Sequence, residues 1–245
     1  MKPRVRRVSA VILRFGAVLC VLALASGLQA GVILDQSALG NENLVNQNFV
    51  SWPSYNSYLV DDFTIASAAT INSVTTWMLS SSLNDLSTII GATATLNIFS
   101  EAGALPSAGN DPTSGSTVAV TYVNLGSSTD SADGAYTIYS ATAAGLNIPL
   151  SAGSYWIGLT PILDYDTYYE VWQYDTSNAV AGNPAAWINP GDAFGDGASW
   201  QPANNVTAFG DAAILVDGVA TPEPGTLATA AGALLALGFL RRRKA

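Results

Sequence analysis

The chain has 245 residues and a formal net charge of −9, and its charges are unevenly distributed. From residue 31 to residue 220 there is no Lys, Arg, His or Cys, although this segment holds seventeen of the eighteen carboxylates. This composition argues against nucleic-acid partners, His- or Cys-based catalysis, disulfides, and zinc or copper sites. Carboxylates, hydroxyls, amides and aromatic rings remain to carry any chemistry.

The first 30 residues have the pattern of a secretory signal peptide. A basic region of Lys2, Arg4, Arg6 and Arg7 comes before an apolar stretch at 15–25, Gly27 follows, and the segment ends on the small residue Ala30. We predict cleavage after Ala30. The alternative is a retained anchor, but the apolar stretch is short and Arg14 interrupts it.

The body, residues 31–219, predicts one all-β domain. Short runs rich in Thr, Val, Ile, Tyr and Trp alternate with Gly-, Asp-, Asn- and Pro-rich turns, and no long stretch has helical periodicity. The predicted strands are 58–65, 70–79, 92–100, 117–125, 135–141, 154–163, 168–174 and 213–217. This spacing favours a single antiparallel β-sandwich of jelly-roll type.

Acidic residues provide the first candidate sites. Carboxylate oxygens are ligands for Ca²⁺, and two carboxylates could also serve a glycoside hydrolase. The candidate calcium ligands are Asp164, Asp166 and Glu170 in DYDTYYE, and Asp192 and Asp196 in GDAFGDG; the adjacent Asp61 and Asp62 are a further pair. The alternative is that these acids are ordinary solvated loop residues.

Aromatic residues provide the second candidate site, because exposed rings can stack on sugar faces. Trp187 and Trp200 lie in Gly-, Pro- and Asn-rich segments and are the expected glycan-stacking residues. The alternative is core packing, which we expect for Trp156 and Trp172 inside apolar runs. A neutral glycan suits this acidic body better than an acidic one.

The chain ends in three consecutive parts within residues 220–245. Pro222, Glu223 and Pro224 predict a turn that stops the last strand. An uncharged apolar segment follows at 226–240, shorter than the usual span of about 20 residues. The basic residues that follow are expected to hold that end on the cytoplasmic side: Arg241, Arg242, Arg243 and Lys244.

These three parts resemble the PEP-CTERM sorting signal. The resemblance implies a short transmembrane helix and processing by an exosortase-type enzyme, in Gram-negative bacteria that make extracellular polysaccharide. It covers only about the last 24 residues. The body, through YLVDDFTI, GSYWIGL and AFGDAAILVDG, loosely resembles the β-sandwich domains attached to such tails.

The whole pattern predicts an exported protein that passes through an inner-membrane intermediate to the cell surface or extracellular matrix, as in a biofilm. A non-enzymatic structural or adhesion role fits best. One alternative is a carbohydrate-binding module, with or without calcium as its cofactor, that contacts extracellular polysaccharide. A secreted hydrolase with two carboxylates is the other alternative.

The charge distribution predicts the composition of the mature protein. Removal of both terminal segments would leave a chain without any side-chain cation, because every Lys and Arg lies outside residues 31–220. Intact-mass spectrometry of the secreted protein should therefore give a mass that lacks the RRRK end. A mass that retains both Pro222–Pro224 and RRRK would contradict this expectation.

Overall fold

The computed structural model describes residues 30–100, 103–128, 136–179 and 182–220. These ranges contain fourteen β-strands, one short α-helix and four 3-10 turns. The first seven strands are β1 (Ala30–Gln36), β2 (Leu39–Val45), β3 (Asn48–Phe49), β4 (Tyr58–Ile65), β5 (Ala69–Ser80), β6 (Thr93–Ser100) and β7 (Ser116–Ala119). The others are β8 (Thr121–Ser127), β9 (Thr137–Leu150), β10 (Gly153–Leu163), β11 (Val171–Thr176), β12 (Ala186–Ile188), β13 (Gln201–Pro202) and β14 (Ile214–Ala220), with helix α1 (Tyr165–Tyr168) between β10 and β11.

The strands form two sheets. In the first sheet, β5 pairs with β9 along one edge, and β9 pairs with β8. Along its other edge, β5 pairs first with β14 and then, near its end, with β11. Strands β1 and β2 pair with β14 and β11 at the outer edge. The second sheet has the order β13-β12-β4-β10-β6-β7. Every pair is antiparallel except β3, which lies parallel to the end of β10.

The predicted all-β sandwich is confirmed. The prediction for 58–65 matches β4, and those for 70–79, 92–100 and 154–163 match β5, β6 and β10 to within one residue at either end. The run 117–125 was predicted as one strand but forms two. It crosses between the sheets at Val120, whose backbone N–H donates to the carbonyl of Ala92, so β7 pairs with β6 and β8 with β9.

Apolar side chains from both sheets meet in one central core. Burial of each such side chain contributes about 1.5–3 kcal/mol relative to exposure. The core includes Ile71, Val74 and Met78 of β5, Leu96 of β6, Ile157 and Leu159 of β10, and Ile214 and Val216 of β14. This cluster holds the two sheets face to face.

Several predictions fall on residues outside the described ranges. They concern the signal peptide before Ala30, the Pro222–Pro224 motif, the apolar segment and the basic end. Within the described ranges, no helix is long and apolar enough to span a membrane.

One buried carboxylate connects the two sheets. Asp61 lies on β4 with the same parity as Leu59 and Phe63, and it is buried with them. Its Oδ2 accepts a hydrogen bond from the Ala212 backbone N–H at 2.6 Å and from Gln36 Nε2 at 3.4 Å. Gln36 belongs to β1 in the other sheet, so Asp61 provides a polar contact across the interior.

The carboxylates near Asp61 make this contact sensitive to pH. Burial raises the pKa of Asp61 well above its ordinary value, and the negative charge of Asp211 raises it further. Burial, and then the charge of Asp62, raises the pKa of Asp211 to about 6. The backbone N–H groups of Ala212 and Asp62 lower the pKa of Asp61 in part, and residues 31–220 contain no side-chain cation that could lower it further.

The raised pKa values set the sign of the pH dependence. A carboxyl whose pKa is higher in the folded than in the unfolded chain binds its proton more tightly when folded. The stabilisation by this carboxyl is therefore fully present below about pH 4. It is lost as the pH rises through the pKa that the carboxyl has in the folded protein. Mutual repulsion of the remaining carboxylates also destabilises the folded protein as the pH rises.

We expect the melting temperature to fall as pH rises from about 5 to about 8, by roughly 3 °C or more. Asp211→Asn should reduce this fall, because it removes a titrating carboxyl and the charge that acts on Asp61. Exposed Asp196→Asn is the matched control and should leave the fall unchanged. Differential scanning calorimetry across this range checks the expectation, and a melting temperature that rises with pH would contradict it.

Candidate functional site

Four aromatic side chains and one carboxylate surround a surface cavity of about 260 Å³. The lining residues are Phe49, Trp52, Tyr55, Tyr165 and Glu170. We call this the four-ring cavity. Small-molecule sites are typically clefts of this kind, mostly apolar and with few polar groups.

The four rings form a closed cycle in which each ring contacts two others. The neighbouring centroid distances are 6.5 Å for Phe49–Tyr55, 6.2 Å for Tyr55–Trp52, 6.4 Å for Trp52–Tyr165 and 6.1 Å for Tyr165–Phe49. The planes of neighbouring rings are inclined to one another by 48° to 75°. Such edge-to-face and tilted contacts are the favoured geometry of aromatic pairs, so the rings support one another.

The rings differ in their exposure. Phe49 is only 2% exposed, whereas Trp52 and Tyr55 are 47% and 37% exposed. Phe49 therefore anchors the cycle in the protein, and Trp52 and Tyr55 present ring surface to solvent. Two large exposed aromatic side chains next to one cavity are unusual enough to indicate a binding surface.

The segment between β3 and β4 supplies three of the rings. Phe49 ends β3, and its backbone N–H donates to Asn56 Oδ1 at 2.7 Å. A 3-10 turn at Pro53–Tyr55 follows Trp52, and the Tyr55 N–H donates to the Trp52 carbonyl at 2.9 Å. Proline at the first position of the turn fixes the backbone. The turn therefore places Trp52 and Tyr55 on the same side of the loop.

A second loop packs against this turn. Asn189 Nδ2 donates to the carbonyls of Ser54 and Asn56 at 2.9 and 2.8 Å. Gly191 lies so close that an added Cβ would be 2.2 Å from the Ser54 carbonyl oxygen, so only glycine permits this approach. Phe194 of the same loop contacts the Tyr55 ring at 5.5 Å. The second loop therefore supports the turn that holds the exposed rings.

Helix α1 supplies the fourth ring, and two acids beside it hold the Trp52 segment. Asp164 accepts hydrogen bonds from the Ser51 and Thr167 hydroxyls, which lower its pKa. Trp52 Nε1 donates to Asp166 Oδ1 at 3.4 Å. These carboxylates therefore act as acceptors that orient the loop and the indole.

The buried amide of Gln47 positions Glu170. Gln47 Nε2 donates to the Tyr169 carbonyl at 3.0 Å, and Oε1 accepts the Val171 N–H at 2.7 Å. These two partners are the residues on either side of Glu170. Nε2 also lies 3.4 Å from the Leu163 carbonyl at the end of β10. One side chain therefore fixes the backbone on both sides of the cavity's carboxylate.

The backbone before Glu170 is strained. Tyr169 ends α1 with φ 54° and ψ −153°, a conformation that residues other than glycine rarely adopt. Such a residue costs about 1–3 kcal/mol and persists only where its surroundings hold it. Here the Tyr169 N–H donates to the Tyr165 carbonyl and its own carbonyl accepts from Gln47.

Glu170 is half-buried, and burial raises its pKa. No described residue donates a hydrogen bond to its carboxylate. It is therefore the one acidic group that lines the four-ring cavity and remains available to a ligand.

The predicted calcium site is not formed by its five proposed ligands. Among the described residues, no three His, Cys, Asp or Glu side chains lie close enough together to hold a metal ion. Asp164 and Asp166 bind the Trp52 segment instead. Asp192 Oδ1 accepts the Gly197 N–H at 2.8 Å, which closes its own loop, and Asp196 is exposed beside it.

The prediction that Trp187 and Trp200 are surface rings is wrong. Trp187 is 1% exposed and packs with Leu44 and Leu59, while its Nε1 donates to the Val45 carbonyl. Trp200 is 9% exposed and packs with Trp156, and its Nε1 donates to the Asn110 carbonyl. Trp187 lies in β12, which pairs with β4 and β13 in the second sheet, and Trp200 directly precedes β13.

The sequence reasoning missed the residues between β3 and β4. The signal was present in the stretch SWPSYNSY, where aromatic residues alternate with Ser, Pro and Asn. Trp52 and Tyr55 of this stretch stay partly exposed, whereas Tyr58, which begins β4, is buried. The prediction did include Glu170 and Asp166, but as calcium ligands.

Comparison with known proteins adds no family assignment. No protein-family model matches the sequence, and no curated protein is similar to it.

Loss of the Gln47 amide should destabilise the protein strongly. Gln47→Leu keeps the side-chain size but leaves the Val171 N–H and the Tyr169 carbonyl without their partner. We expect the free energy of unfolding to fall by about 2 kcal/mol or more.

Gln201→Leu is the matched control, because that amide makes one exposed hydrogen bond to the Asp196 carbonyl. It should change the free energy of unfolding by less than about 0.5 kcal/mol. Urea denaturation of both variants provides the measurement. Similar small losses in the two variants would show that Gln47 does not hold the site.

Proposed function

We propose that this chain is an exported, non-enzymatic surface or extracellular-matrix protein whose β-sandwich binds polysaccharide through the four-ring cavity. The observation that carries the proposal is the exposure of Trp52 and Tyr55 on the rim of a cavity whose other rings are packed. Rigid aromatic faces stack on the C–H faces of sugar rings and displace water from both. An acidic polysaccharide would be repelled, because the body has carboxylates and no cation.

Delivery to the outside is the second part of the proposal. It is supported by the signal-peptide pattern at residues 1–30 and by the PEP-CTERM-like arrangement of Pro222–Pro224, the apolar segment and the basic end. An exosortase-type enzyme would act on this tail at the inner membrane. The body would then function at the cell surface or in the extracellular matrix, where polysaccharide is abundant.

The surroundings of the acids favour binding over hydrolysis. A glycosidase needs two carboxyl groups that face one glycosidic bond. Glu170 lines the cavity, whereas the Asp164 carboxylate is occupied by two hydroxyl donors and Asp166 accepts the Trp52 indole N–H. This arrangement supports a binding module.

Removal of one exposed ring should abolish most polysaccharide binding. Trp52→Ala takes away the most exposed ring of the four-ring cavity, and we expect affinity to fall about tenfold. Affinity electrophoresis in gels that contain soluble polysaccharides measures this loss. Leu83→Ala, which truncates an almost fully exposed apolar residue elsewhere, should migrate like the original protein.

The same polysaccharides separate the alternatives. Retarded migration without release of reducing ends supports a binding module. Release of reducing ends that is lost in Glu170→Gln would instead support the hydrolase. Unretarded migration on every polysaccharide would contradict the binding role, and only the structural role would then remain.

A further inference from the structure

The four-ring cavity combines aromatic faces with a single carboxylate. We propose that it binds a cationic nitrogen, and that its ligand is the protonated amino group of a de-N-acetylated amino sugar within a polysaccharide. This inference deepens the proposed function and rests on it, because it names the class of sugar that the cavity accepts.

The ring geometry suits a small cation. The face of each aromatic ring carries negative potential, and a cation within about 6 Å of a centroid is attracted to it. Successive centroids in the cycle are 6.1 to 6.5 Å apart, so a group between them lies near several rings at once. An uncharged hydroxyl would gain much less from the same surroundings.

Glu170 provides the matching negative charge. Its carboxylate lines the cavity and receives no hydrogen bond from a described residue. Burial raises its pKa, which means that the ionised form lacks compensation in the free protein. An ammonium group would supply both a positive charge and hydrogen-bond donors. Residues 31–220 contain no cation of their own that could do so.

The charges around the cavity also favour a cationic ligand. Asp164 and Asp166 lie next to the Trp52 loop, and they already use their oxygens to hold it. Their charges remain unpaired by any cation, so the local field attracts positive ligands and repels acidic ones. The mouth of the cavity is therefore selective for a cationic sugar over an anionic one.

A sugar accounts for the exposed rings better than a free ammonium ion does. A small ion would occupy only part of the cavity of about 260 Å³ and would leave the outer ring surface of Trp52 and Tyr55 in water, although these are 47% and 37% exposed. An amino sugar in a chain would place its nitrogen among the rings and its neighbouring sugars against that surface. The ring faces and the carboxylate would then both be used.

The test compares three oligosaccharides of equal length: one of glucosamine, one of N-acetylglucosamine and one of glucose. Isothermal titration calorimetry at about pH 6 and about 0.15 M salt keeps the amine protonated and screens remote charges. We expect the glucosamine oligomer to bind at least about fivefold more tightly than either uncharged one. Tetramethylammonium chloride should compete with it, whereas sodium chloride at the same concentration should not.

Two variants locate the effect. Glu170→Gln should reduce the preference for the glucosamine oligomer over the glucose oligomer to about twofold or less. Asp196→Asn removes an exposed charge that does not line the cavity and should keep the full preference. Equal losses in the two variants would overturn the inference, because they would show general attraction to an acidic surface.

The outcomes also separate this inference from the proposed function. If the uncharged oligomers bind as well as glucosamine, and Trp52→Ala abolishes their binding, the polysaccharide function stands and the preference for an amine is wrong. If no oligosaccharide binds, both are wrong. Competition by tetramethylammonium without any oligosaccharide binding would overturn the assignment to a sugar.

Discussion

The buried side chain of Gln47 is the contact on which the arrangement of the candidate site depends. Its amide binds the backbone on both sides of Glu170 and reaches the end of β10, while the next two residues form β3 and carry Phe49. One polar group therefore links the carboxylate of the cavity with the ring at its base. An unsatisfied amide in this position would cost more than the hydrogen bonds gain, so the segments keep this arrangement.

The body of the protein stabilises carboxylates without any side-chain cation. Hydroxyl and amide donors take the place of salt bridges: Ser37 for Asp35, Asn183 for Asp62, Ser87 for Asp85, Thr113 for Asp111, and Ser51 and Thr167 for Asp164. Most of these bonds are short-range and exposed, and each satisfies an acceptor without neutralising its charge. The protein therefore keeps an acidic surface that favours positive ligands, and Glu170, which receives no such bond from the described residues, differs from these acids.

The sequence predicted the long strands because Thr, Val, Ile, Tyr and Trp dominate them, as in β4 and β10, whose residues are mostly buried. It did not predict β2, because the polar stretch GNEN interrupts the apolar residues of LGNENLV, and the pairing with β11 that stabilises this strand is a distant contact. It also misplaced Trp187 and Trp200. Gly and Pro around them indicated loops, but Trp187 lies in strand β12 and Trp200 directly precedes β13, where neighbouring apolar side chains bury both indoles.

The sequence by itself determined the sign of the charge, the absence of cations from the body, the β class and the residue types available for binding. These properties follow from composition and local periodicity, which need no knowledge of distant contacts. Only the tertiary structure decided that Phe49, Trp52 and Tyr55 meet Tyr165 and Glu170 around one cavity. Those residues belong to two segments far apart in the chain. They meet because β3 pairs with the end of β10, and no local pattern in either segment encodes that pairing.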